Sequence, residues 1–173
     1  MYDESDLLAG RLSWHVYEAG RRRSFANLSR KQDHLKGGIT MGLSEFVEAW
    51  NAGDAERVAG QFTLDGVRHQ FALPEARLAG RDAIAQGVGA IINAVPDAGL
   101  EVRSQSVGDD GRVTVEWTFT GTHTGDFPGM PASGATFDLP GISIYTLADD
   151  GQIAEERVYW DMATLMSAAG VLG

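Results

Sequence analysis

The chain has 173 residues and a mass of 18.5 kDa, enough for one ordinary domain and too little for two full cores. Its 43% hydrophobic and 22% charged residues describe a soluble globular protein, and its net charge of −10 disfavours phosphate backbones and anionic lipid surfaces, so neither nucleic acid nor membrane is an expected partner. The absence of cysteine excludes disulfides, thiolate nucleophiles, Cys-ligated zinc and iron–sulfur clusters together.

No apolar run approaches the ~18 residues of a membrane span. The start, MYDESDLLAG, is acidic and lacks the basic and long apolar regions of a secretory signal, so a cytoplasmic protein is expected. Residues 1–40 carry seven basic and five acidic residues, whereas the remainder carries seven basic and 19 acidic residues and no lysine. This shift, with Lys36-Gly37-Gly38 as a joint, predicts an N-terminal extension over 1–40 and a domain over 41–173. Three readings fit the extension: a segment packed on the body or swapped onto a second subunit, a mobile tail, or an addition upstream of a start at Met41.

Ser44 is expected to cap a helix bearing Phe46, Val47 and Trp50 on one side and closed by Asn51-Ala52-Gly53. Asp54 can cap a second short helix running through Val58 to Phe62. Residues 67–73 alternate as a strand, with Val67, His69, Phe71 and Leu73 on one face. Gly80-Arg81-Asp82 opens a third helix ended by Pro96-Asp97, although Gly87 and Gly89 weaken its middle. The second half reads as strands: 100–107 and 112–123 joined by Gly108-Asp109-Asp110-Gly111, then 136–147 and 152–160 joined by Ala148-Asp149-Asp150-Gly151. In the second strand of this set, Val113, Val115, Trp117 and Phe119 share a face. Residues 162–169 form a last helix with Gly170 at its end. Helices first and tight-turned strands after predict an α+β fold, one curved antiparallel sheet folded around helices on its inner face.

The run Trp117-Thr118-Phe119-Thr120-Gly121-Thr122-His123-Thr124-Gly125-Asp126-Phe127-Pro128-Gly129-Met130-Pro131 resembles the GTHTG…GxP signature of SnoaL-like polyketide cyclases, within the nuclear transport factor 2-like superfamily. Asn51-Ala52-Gly53-Asp54, Val95-Pro96-Asp97, and Asp149-Asp150-Gly151-Gln152-Ile153-Ala154-Glu155 followed by Asp161, Leu165 and Gly170 are similar to three further stretches of that family, in order and spacing. The resemblance covers about residues 44–172. It implies a cone-shaped α+β barrel with an apolar pocket, usually dimeric, so a homodimer is expected. It also implies secondary-metabolic chemistry without metal or redox cofactor: an intramolecular aldol condensation in which a carboxylate takes a proton from a carbon next to carbonyls. The family commonly has a basic residue after its PxxG step, where this chain has Ala135 after Pro131-Ala132-Ser133-Gly134, so whatever that cation does is missing.

By that resemblance Asp161 is the acid/base, with a pKa raised by the apolar wall of Tyr159 and Trp160. An Asp between a strand and a helix is equally a standard helix cap. His69 and His123 share the apolar parity of their strands, where an imidazole can hydrogen-bond a substrate carbonyl or orient a carboxylate, or simply sit satisfied in a core. His15 and His34 lie in the N-terminal segment and receive no role. Trp50, Trp117, Phe119, Tyr145, Tyr159 and Trp160 suit a flat apolar or aromatic ligand, although aromatics also build any core of this size. No HxxxH pair points to a metal. Glu116 and Glu155 are candidates for a hydrolase-like carboxylate pair, their facing left open by parity. The expected function is therefore cofactor-free acid/base chemistry on an enolisable polyketide-like molecule. The alternatives are a small-molecule-binding protein without turnover and an isomerase or epoxide-type hydrolase on the same fold.

Overall fold

The computed structural model describes residues 39–72, 77–127 and 130–168. The N-terminal segment, His15, His34, Leu73 and Gly170 lie outside the described residues. The first helix, α1 (Ile39–Asn51), starts five residues before Ser44, which therefore sits in its second turn and does not cap it. Residues 39–43 contain no proline, so the helical pattern runs back past the expected start. Leu43, Phe46, Ala49 and Trp50 are its buried stripe, at the three- and four-residue spacing of one helix face.

Asp54 caps the next helix, α2 (Ala55–Gly60), its carboxylate accepting the Arg57 backbone N–H at 2.9 Å. Strand β1 (Phe62–Gln70) and the short β2 (Arg77–Ala79) lead into α3 (Arg81–Ala94). That helix runs unbroken through Gly87 and Gly89. Gly87 is there for space: a Cβ would collide with the Leu78 side chain packed from β2. Then follow β3 (Gly99–Val107), β4 (Val113–Thr122), β5 (Thr136–Leu147), β6 (Ile153–Trp160) and α4 (Met162–Ala168).

The six strands form one curved sheet in the order β2-β1-β6-β5-β4-β3. This is the expected curved sheet over N-terminal helices, open with β2 and β3 as its edges, and mixed rather than wholly antiparallel, because β1 runs parallel to β6 while every other pair is antiparallel. Strand β1 precedes the β3–β6 meander in the chain and lies beside its last strand, so the parallel pair joins segments far apart in sequence.

The core lies between α1, α2 and α3 and the inner sheet face. Phe46 is its hub, meeting the Phe62 ring at 6.2 Å and the Tyr145 ring at 5.8 Å, both edge to face. In β4 the expected alternation holds, with Val113, Val115 and Trp117 buried. Gly141 of β5 faces Trp117 in register, and a Cβ there would overlap the indole ring. That bare backbone lets the indole lie across β5 and donate from Nε1 to Ser143 Oγ at 3.0 Å. No helix among the described residues is long and apolar enough to cross a membrane.

In β1 the expected facing is reversed. Arg68 and Gln70 are buried, while Val67 and His69 are half-buried and Phe71 is 47% exposed. The ladder with β6 shifts register between Phe62 and Val67, so the apolar odd-numbered residues turn outward after the irregularity. On the outer face the Phe71 ring stacks between those of His69, at 4.0 Å, and Tyr159, at 4.6 Å.

Candidate functional site

Between α1, the end of α3, α4 and the inner sheet face lies a cavity of about 510 Å³. That is the size of an ordinary small-molecule site. Its walls are chiefly apolar, from Phe46, Trp50, Ile91, Leu100, Trp117, Phe119, Phe137, Leu139 and Trp160, with Met162, Leu165 and Met166 of α4 along one side. Arg68, Gln70, His123, Ser143, Tyr145 and Glu156 bring polar atoms to this wall.

Four of these form one network. Glu156, only 1% exposed, accepts from Arg68 Nε at 2.7 Å through Oε2, and from Ser143 Oγ at 3.0 Å and Tyr145 O–H at 3.1 Å through Oε1. Trp117 Nε1–H extends the chain by donating to Ser143. Glu156 and Tyr145 are paired across β6 and β5, and Glu156 and Arg68 across β6 and β1, so ladder register alone sets the cluster. Burial and the neighbouring Glu156 carboxylate push the Tyr145 phenol well above its ordinary pKa, which keeps it a proton donor. The Arg68 guanidinium carbon stands 5.3 Å from the centre of the Trp50 ring. Arg68 Nη1 and Trp50 Nε1 are buried without a hydrogen-bond partner.

His123 approaches the cavity from the loop after β4. That loop is tied down at each step of the signature motif. Asp97 accepts from the Thr122 backbone N–H at 2.7 Å and from the Thr122 hydroxyl at 2.8 Å. Thr124 and Gly125 donate to Ala94 O at the end of α3, and His123 exchanges backbone bonds with Ala135 and Gly134. A Cβ at Gly125 would run into the Asn93 carbonyl. Asp126 accepts from the Ala132 N–H at 2.9 Å. The imidazole is 4% exposed, its Nδ1 lies 3.1 Å from Ser133 Oγ, and its Nε2 has no partner. The ring is thus oriented through one nitrogen, and the other is buried without a partner.

Trp50, Trp117, Phe119 and Tyr145 line the cavity, as does His123. Tyr159 and His69 do not: both belong to the outer face, for the register reason given above, and Tyr159 is 40% exposed. Asp161 also lies outside the lining. It caps α4, accepting from the Ala163 N–H at 2.9 Å and the Thr164 hydroxyl at 2.7 Å. These bonds hold its carboxyl below the ordinary value of 3.8, Thr164 contributing most, which is opposite to the raised pKa expected of a base in an apolar pocket. Glu116 bonds Ser104 on the exposed side and Glu155 pairs with Arg157, so neither joins the site. Sequence reasoning missed Glu156 and Arg68. The register of β6 against β5 shifts between Thr146 and Leu147, so parity counted from buried Ile153 selects Glu155, whereas counting back from Val158 selects Glu156. Among the described residues no group of three His, Asp or Glu side chains is placed to hold a metal ion.

Residues 42–169 match the family model of SnoaL-like polyketide cyclases. Among solved structures, a candidate polyketide cyclase of Xanthomonas campestris pv. campestris is 25% identical with a TM-score of 0.64, the match covering 77% of this chain and 97% of that one. SalBIII, an epoxide hydrolase/cyclase-like enzyme of pyran ring formation in the polyether salinomycin, is 23% identical with a TM-score of 0.62 over 77% of this chain and 96% of its own. A Catenulispora acidiphila protein with a ketosteroid isomerase-like fold, solved with trimethylamine, is 16% identical with a TM-score of 0.64 over 75% and 92%. No protein of curated function matches the chain in sequence.

Proposed function

From the SnoaL-like polyketide cyclase family, to which this chain belongs, and from the groups that line its cavity, we propose acid/base catalysis on an enolisable, polyketide-like small molecule. The reaction is an intramolecular aldol closure or a related proton transfer. The observation that carries this reading is His123, a cavity-lining imidazole oriented through Nδ1 whose Nε2 is buried with no partner in the protein.

In this proposal the imidazole takes a proton at Nε2 from a carbon flanked by carbonyls. The electron pair left on that carbon attacks a second carbonyl of the same molecule, and the proton returns to the new alkoxide. Apolar walls hold the two carbons together and exclude water, which is the larger part of such catalysis. The acid/base role expected of Asp161 passes to His123. Glu156 is a positioning residue, its oxygens engaged by three donors, and it holds Arg68 and Tyr145 against the cavity.

That engagement of the cavity carboxylate also favours a second reading, a protein that binds its ligand without turnover. The structural likeness to SalBIII keeps epoxide-type chemistry as a further branch of the proposal.

The test is deuterium uptake from D2O into the C10 methylene of anthrone, a flat enolisable ketone. The wild-type chain and Asp161→Asn are expected to accelerate uptake over buffer, and His123→Asn to lose on the order of 10²-fold or more of that acceleration. Retained activity in His123→Asn, or its loss in Asp161→Asn with the fold intact, would return the role to Asp161. No acceleration by the wild-type chain leaves the binding reading.

A further inference from the structure

Arg68 and Trp50 are each 5% exposed, line the same cavity, and lie against one another with the guanidinium over the indole. Each keeps one N–H group, Arg68 Nη1 and Trp50 Nε1, buried and without an acceptor. Leaving a buried donor unpaired costs folding free energy, and two on adjoining side chains of one cavity imply an acceptor that arrives from outside the chain.

We infer that Arg68 Nη1 and Trp50 Nε1 form a carbonyl-binding hole, and that the ligand of this cavity is an uncharged, flat molecule whose carbonyl oxygen they hold. The inference rests on the proposed function above and gives its substrate a charge state and an anchoring group.

The charge state follows from the network. The single positive charge of Arg68 is already matched by Glu156, whose carboxylate sits 2.7 Å away and is itself buried. A carboxylate ligand would add an unmatched negative charge in a space walled by apolar side chains, and such a charge is heavily penalised. A carbonyl oxygen takes both free donors and adds no charge. It also explains why a cation can serve a neutral ligand. As a proton leaves the neighbouring carbon, negative charge builds on that oxygen, and donors fixed beforehand by Glu156 and by stacking meet it without rearranging. Glu156 thus neutralises Arg68 at rest and fixes its free edge toward the ligand.

Calorimetry on the full chain with three probes of one shape tests this: anthrone, 9,10-dihydroanthracene, which lacks the oxygen, and anthracene-9-carboxylate. Anthrone is expected to bind at least about 10-fold tighter than the hydrocarbon, and the carboxylate more weakly than anthrone. Trp50→Phe keeps a stacking ring and removes the N–H. It should cut the preference for anthrone over the hydrocarbon several-fold, the ratio of the two affinities being the readout. Arg68→Lys, which keeps the charge opposite Glu156, should do the same.

Equal affinity for anthrone and the hydrocarbon would overturn the hole and leave its donors to water. Tightest binding of the carboxylate would make the site an anion site, and no binding of any probe would reject the ligand class. Binding is read without turnover. A ketone preference without deuterium uptake would therefore uphold the hole and reject the catalytic reading, whereas uptake without a preference would do the reverse.

Discussion

Asp161 and Glu156 lie five residues apart and have opposite fates. Asp161 meets two donors at an exposed helix start, and these stabilise its charged form; Glu156 is enclosed by β1, β5 and β6 and is held by an ion pair and two hydroxyls. The lowered pKa of Asp161 has a definite sign in stability. Its contribution is fully present above the unfolded value of 3.8 and is lost as pH falls through the depressed folded value. Asp97, also lowered, by Thr122, and Asp110, lowered by Arg112, act in the same direction. Asp161→Ala is therefore expected to melt at a somewhat lower temperature than wild type at pH 7, with the gap narrowing below pH 3.8, in paired thermal scans. A gap that stays constant with pH would show that the carboxylate's charge is not what stabilises α4. His123 makes the complementary point. Its motif is legible in the sequence by resemblance to the family signature, and two of its residue types have a visible cause: a Cβ at Gly125 would meet the Asn93 carbonyl, and the Thr122 hydroxyl donates to Asp97.

The elements differ in how plainly they are written. Strands β4 and β5 are long and pair with each other in unbroken register, and β4 alternates from Val113 to Trp117, so the facing of Val113, Val115 and Trp117 is readable from residue type; beyond them Thr118, of the other parity, is buried too. Strand β1 meets β6 across a register shift early in its length, β6 meets β5 across another near its start, and a shift reverses the facing counted from beyond it. Residue type misleads there as well. The inner face of β1 carries Arg68 and Gln70 because it ends in a polar cluster, and its outer face carries His69 and Phe71. A local pattern assigns the apolar set inward; only the partner strand shows otherwise. The parallel pairing of β1 with β6 is likewise a long-range fact, with Arg68 and Glu156 separated by 88 positions in the chain. The same pairing makes a stability prediction. Glu156→Gln leaves Arg68 buried without its counter-charge and is expected to cost about 3–5 kcal/mol by urea unfolding. A cost under about 1 kcal/mol would mean that the guanidinium finds water or another partner, and that the cluster does not need its carboxylate.

At the scale of the whole molecule, three helices and one open sheet enclose a cavity that no local pattern announces, because its walls come from α1, α3, α4 and five strands, β1 and β3 to β6. The aromatic content pointed to a flat ligand, and five of the six aromatics named for it, Trp50, Trp117, Phe119, Tyr145 and Trp160, stand on the wall. Only Tyr159 faces away, stacked on Phe71. Family membership fixes the kind of protein, and the cavity fixes which of its residues can reach a ligand. The proposed chemistry lies inside, at His123, and not at the helix cap. A crystal structure of the chain with anthrone tests it most directly. The ligand is expected within the cavity, its methylene carbon about 3–3.5 Å from His123 Nε2. A ligand held with that carbon against Asp161, or bound on the outer face with the cavity unfilled, would contradict it.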